Sequence, residues 1–115
     1  VQTCALPIFT TSGFVSVVSH SPEVITVRSR NRASLAPISK SLNIEIKKTP
    51  HSDYPYRIEL PKADFAQWAS RQIEQITYSN FKSEASLLCD ENYVESLHQV
   101  WSVMHLVEDE EARLA

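Results

Sequence analysis

Apolar side chains change their spacing at Pro61, and this change constrains the fold more than any other feature of the chain. Upstream, outside one short stretch from Leu35 to Leu42, they recur at every second position, and downstream at every third or fourth. Side chains alternate across a strand but turn once in about 3.6 residues on a helix, so the first pattern reads as β and the second as α. A sheet followed by helices buries its apolar face by laying those helices on it, which disfavours a β-sandwich. The chain has 115 residues, enough for one such domain and too few for two.

Residues 14–19 have strand composition, and His20-Ser21-Pro22-Glu23 reads as a turn. The run 24–30 then alternates, with Ile25 and Val27 on one side and Thr26, Arg28 and Arg30 on the other. Together these runs predict a hairpin. Leu35, Ile38 and Leu42 share one helical face. Ser34 as N-cap would put Pro37 in the first turn, where its missing N–H has no partner to lose; a start at Asn31 would leave Pro37 to kink the helix. Alternation returns in 43–48 and 54–60, with Ile44, Ile46, Tyr56, Ile58 and Leu60 inward. Glu45, Lys47, Arg57 and Glu59 point outward, so facing strands can pair opposite charges. Thr49-Pro50-His51-Ser52-Asp53 is the expected turn of this second hairpin.

Pro61 suits a first helical position, with Asp64 in the favoured first turn. Phe65, Trp68, Ala69, Gln72, Ile73 and Ile76 form the buried stripe of that helix, and Phe81 implies a further buried turn. Asp90 is the expected N-cap of a last helix bearing Tyr93, Leu97, Val100, Trp101, Met104 and Val107 on one face. The expected order is strand, strand, helix, strand, strand, helix, helix. The fold class is α+β: two layers, with a four-stranded antiparallel sheet and helices packed on one face.

Residues 1–8, Val-Gln-Thr-Cys-Ala-Leu-Pro-Ile, match the translation of a common short-read sequencing adapter: gtt cag acg tgt gct ctt ccg atc. They are expected to be an artefact and are set aside from the fold, the alternative being a genuine short apolar N-terminal strand. The single domain then spans 9–107, followed by an acidic flexible tail over 108–115. Cys89 is the one cysteine outside the artefact, and a lone thiol suits a reducing compartment, so a cytoplasmic location is expected. No apolar run approaches the roughly 18 residues of a membrane span, so no membrane partner is expected.

Four segments in order carry a resemblance: Phe9-Thr10 with Gly13-Phe14-Val15-Ser16-Val17-Val18, Asp53-Tyr54-Pro55-Tyr56-Arg57, Tyr78-Ser79-Asn80-Phe81-Lys82, and His98-Gln99-Val100-Trp101. This pattern resembles a family of small uncharacterised bacterial hypothetical proteins that open Met-Trp-Leu-Phe-Thr. The resemblance covers 9 to about 104 and implies that Met-Trp-Leu precedes Phe9 in the natural chain. It implies no activity and no site residues. The acidic end after Met104 departs from it.

Net charge is −3, but residues 1–62 hold eight Lys and Arg against four acids, whereas 63–115 hold three against ten. The strand half is therefore basic and the helical half acidic. Arg28, Arg30 and Arg32 would stand about 6.8 Å apart on one face if the strand persisted, roughly the phosphate repeat of an extended nucleic acid. The same pattern also serves a solvated strand end, charged against edge-to-edge pairing. Candidate nucleic-acid-binding residues are Arg28, Arg30, Arg32, Lys47, Lys48 and Arg57.

No catalytic, metal or cofactor site is read from the spacing. His98 and His105 lie about 10.5 Å apart along a helix, too far to share one zinc with bonds of about 2 Å. His51 and Asp53 are a two-residue coincidence in a loop. Cys89 stands at a helix start, where the helix field lowers a thiol pKa, but the adjacent Asp90 raises it. No glycine-rich phosphate loop can form with Gly13 as the one glycine. The leading reading is a non-catalytic interaction or regulatory module, with a protein partner or a second copy joined through a sheet edge or the last helix. The alternative is a nucleic-acid-associated protein using the basic strand face. The third is a small enzyme whose pocket would gather His98, His105 or Cys89 with carboxylates.

Overall fold

Alternation in 24–30 is realised as strand β3 (Val24–Ser29), with Ile25, Val27 and Ser29 turned inward and all but sealed from solvent. In the computed structural model, which describes residues 5–109, β3 is the middle of a five-stranded sheet. The others are β1 (Leu6–Thr10), β2 (Gly13–Ser21), β4 (Lys47–Lys48) and β5 (Tyr56–Pro61). Their order is β1-β2-β3-β5-β4, and every neighbouring pair is antiparallel. Val17, Val27 and Ile58 fall in register across three strands, and Ile25 faces Leu60 beside them. Residues paired in this way share a face, so the middle of one sheet face is apolar, bounded on β2 by the exposed Ser19.

Helices α1 (Arg32–Leu42) and α2 (Lys62–Glu74) cover that face. Leu35 and Ile38 from α1 and Phe65 and Trp68 from α2 join the strand side chains in one buried core. Two further helices follow, α3 (Phe81–Leu88) and α4 (Glu91–Met104), with a 3₁₀ turn at His105–Val107. The chain is thus α+β with an antiparallel sheet and four α-helices. Among the described residues no helix is long and apolar enough to cross a membrane.

Four details correct the reading of the sequence. The sheet has five strands, because Leu6–Thr10 pairs with β2 at an edge. Edge pairing uses backbone groups, and an edge tolerates a proline such as Pro7. That strand includes Leu6, Pro7 and Ile8 from the adapter-like segment; residues 1–4 lie outside the described residues.

The second correction concerns β4, expected over 43–48 but only two residues long. Asn43 adopts left-handed φ of 54° as the C-cap of α1, and the Ile44 N–H donates to the Ser39 carbonyl at 3.0 Å. Capping therefore consumes the backbone that would have extended the strand. Ile44 and Ile46 still lean on the core.

Third, α1 is capped by Asn31, whose side chain accepts the Ser34 N–H, and Pro37 lies inside the helix. An interior proline costs about 3 kcal/mol. Leu35 and Ile38 are both fully buried, and at about 1.5–3 kcal/mol each they offset it.

Last, the helices do not all bury against one sheet face. Ala85 and Leu97 are buried outside the main core, where Phe81 meets Trp101 edge-on at 6.0 Å. The hairpin of α3 and α4 is tied to the β1–β2 turn by two side chains. Tyr93 Oη donates to the Thr10 carbonyl at 2.7 Å, and Cys89 Sγ donates to the Thr11 carbonyl at 2.8 Å. The α2 stripe outruns the core as well: Ile73 and Ile76 are exposed and border a cleft with Phe9, Tyr78 and Phe81. Met104 and Val107, expected inward, are exposed. Of the acidic tail, Glu108 and Asp109 are described; 110–115 lie outside the described residues.

Candidate anion-binding site

Antiparallel pairing of β3 with β5 puts Arg28 directly opposite Arg57, on the face turned away from α1 and α2. On its other side Arg28 faces Ser16 of β2, and beyond Arg57 comes Lys47 of β4. One row across four strands therefore reads Ser16, Arg28, Arg57, Lys47. Side chains directly opposite each other have Cβ atoms about 4.5–5.5 Å apart, and like charges so placed repel.

The segment entering β5 organises this repulsion. Arg28 and Arg30 both lie over the Tyr54 ring, with Cζ at 4.5 and 4.6 Å from its centroid. Cation–π contacts of this kind contribute about 0.5–1 kcal/mol each at accessible sites. Arg30 Nη1 donates to the Asp53 carbonyl at 3.0 Å, and Arg57 Nε donates to the Tyr54 carbonyl at 3.3 Å. Arg28 Nη2 donates to Ser16 Oγ at 2.9 Å, while its buried Nε has no acceptor among the described residues. The guanidinium groups are thus held by neutral oxygens and a ring. Among the described residues none of the three forms an ion pair. They line a pocket of about 420 Å³ with Ser16, Asp53 and Tyr54, with Ala5 at its side.

The other three basic candidates go elsewhere. Strand β3 ends at Ser29 and α1 begins at Arg32, so the ladder Arg28, Arg30, Arg32 is broken after its second rung. Arg32 and Lys48 lie over the Tyr56 ring at 5.4 and 5.7 Å. Tyr56 shares the helix-side face with Ile58 and Leu60, so this pair is on the opposite side of the sheet from Arg57. Lys47 stays on the face of Arg57, but its Nζ is 3.7 Å from Glu59, which His20 approaches at 3.6 Å on its second oxygen. This is the cross-strand charge pairing expected from the outward residues. Tyr54 was missed as a site residue. Its signal is an aromatic at the turn-to-strand junction, meaningful only once the β3–β5 register is known.

Cys89, Glu91, Glu95 and His98 do line one shallow groove on α3 and α4. The thiol there is pushed above its ordinary pKa, mainly by burial and secondarily by Asp90. That is opposite to what a nucleophile needs. His105 is elsewhere, with Nδ1 2.6 Å from Glu108, and His98 stands edge-on to Trp101. His51 adopts φ of 67° in the turn before β5. Among the described residues no three His, Cys, Asp or Glu side chains gather with metal-binding geometry. Comparison with known proteins finds no matching family model, no matching curated protein and no matching solved structure.

Proposed function

We propose that this protein is a non-catalytic interaction module that recognises an anionic group on the sheet face carrying Arg28, Arg30 and Arg57. One observation supports this reading above the rest: three guanidinium groups converge on one pocket, and none forms an ion pair among the described residues. Such a cluster is electrostatically costly alone and is relieved by a bound anion, which guanidinium forks grip bidentately. A ligand that binds only the folded state raises its melting temperature by mass action. Melting the full chain with low-millimolar sodium sulfate, against sodium chloride of equal ionic strength, tests this. The unsubstituted chain is expected to gain several degrees, and Arg28→Gln and Arg57→Gln to lose the gain. Equal shifts in unsubstituted and substituted chains would refute the reading.

A second reading, association with nucleic acid, draws on the row that adds Lys47 to Arg57 and Arg28. Titrating labelled single-stranded and duplex DNA and RNA at low and moderate salt separates the two, because a phosphate-tracking surface loses affinity steeply with salt. Absent or salt-insensitive binding removes this second reading.

A further inference from the structure

Building on the anion-recognition reading above, we infer that the pocket is selective for a terminal phosphomonoester, and discriminates against the phosphodiesters of a nucleic-acid backbone. Arg28, Arg30 and Arg57 bring three positive charges to the pocket and Asp53 at its rim brings one negative charge. The resulting +2 is neutralised by a phosphomonoester, which carries close to two negative charges at neutral pH. A diester carries one and leaves the cluster half compensated.

Donor geometry leads the same way. Each guanidinium has five N–H donors, and one contact on each is spent on Ser16, Asp53 or Tyr54. The remaining donors come from three separate groups, although Arg28 Nε is sealed from solvent. A phosphomonoester presents three terminal oxygens to three forks, whereas a diester presents two non-bridging oxygens.

Layout disfavours the longer ligand. A polymer needs cations in series, but Arg32 and Lys48 are on Tyr56 across the sheet, and Lys47 faces Glu59. Nor is Tyr54 free to stack a base, since two guanidinium groups already lie over its ring. A volume of about 420 Å³, toward the small end of ligand pockets, accommodates the phosphate with a modest organic group. The same phosphate chemistry is offered by a small phosphorylated metabolite or by a phosphorylated side chain.

Calorimetric titration of the full chain with four probes tests the inference. These are glucose 6-phosphate, a short phosphoserine peptide, dimethyl phosphate, and a single-stranded oligonucleotide lacking terminal phosphates. At least one monoester is expected to bind ten times or more tightly than dimethyl phosphate, and which of the two does so identifies the source. Arg28→Gln and Arg57→Gln are expected to weaken that binding tenfold or more. Arg57→Lys, which keeps charge but loses the fork, should weaken it severalfold, and Arg32→Gln less than twofold. Circular dichroism and melting of each variant verify that it is folded. Equal affinity for monoester and diester, or equal losses from Arg32→Gln and Arg57→Gln, would overturn the inference. If the oligonucleotide binds tightly through Arg28 and Arg57, selectivity fails while anion recognition stands; if no probe binds, both fail.

Discussion

Gly13 is the hinge on which the two layers meet, and replacing it with alanine is expected to destabilise the protein severely. Its φ is 145°, a conformation that residues with a Cβ rarely adopt and that costs on the order of 1–3 kcal/mol. An added Cβ would lie 2.1 Å from Ser34 Oγ, 2.7 Å from Ser34 Cβ and 2.9 Å from Ser34 Cα. Rotating Ser34 relieves the first contact only, so the start of α1 must move. Ser34 Oγ also accepts the Phe14 N–H at 3.2 Å, and leaving that donor unpaired costs about 1–3 kcal/mol. Neighbouring Leu35 is fully buried and resists the shift. The two terms sum to about 2–6 kcal/mol, a large share of the roughly 5–15 kcal/mol typical of a domain. At about 4–8 °C per kcal/mol, melting should fall by about 8 °C or more. Circular dichroism melts measure this directly. Ser34→Gly placed on Gly13→Ala removes the two side-chain contacts, so the pair should melt above the single Gly13→Ala variant. A Gly13→Ala chain melting with the unsubstituted one would refute the close approach of α1 to β2.

Asn31→Ala removes the side chain that accepts the Ser34 N–H at the start of α1, and urea unfolding should show a loss of about 1 kcal/mol. The Tyr93 phenol is raised well above its ordinary value of 10.0, chiefly by burial. A folded-state pKa above the unfolded one means that stability is full below pH 10 and falls as pH rises further. Ultraviolet titration should therefore find one tyrosine ionising late, together with loss of α3–α4 helicity, and Tyr93→Phe should remove that late step; ionisation at the ordinary pH would contradict it. Cys89, raised by burial and by Asp90, should alkylate more slowly at neutral pH than an unstructured cysteine peptide, and reaction at the peptide's rate would contradict its burial against Thr11.

Local pattern carried much of the fold. Ile25, Val27, Ile58 and Leu60 are buried on one face, as alternation requires, and Asp90 caps α4 as its position before an apolar stripe implies. Failures came where two local rules competed. Pro37 argues for a helix start at Ser34, but Asn31 caps the helix better while Ser34 is drawn into contact with Phe14. The alternation of 43–48 argues for a strand, yet Asn43 is claimed by the α1 C-cap. Strand β1 escapes the sequence reading because Leu6, Pro7 and Ile8 belong to the adapter-like segment set aside from the fold, yet their backbone pairs with β2. For the site, composition marks the basic residues but not their grouping. Arg28 and Arg57 are 29 positions apart and meet only through the β3–β5 register, whereas Arg32 is near Arg28 in sequence and separated from it by the start of α1. No local period encodes either relation.

Recognition of an anion by the three arginines is tested most directly by following the arginine Nε–Hε signals in a nitrogen-15 spectrum as glucose 6-phosphate is added. The Arg28 and Arg57 signals are expected to move saturably and together, while those of Arg32 on α1 and Arg71 on α2 stay in place. Stationary Arg28 and Arg57 signals, or movement shared equally by Arg32 and Arg71, would contradict the account.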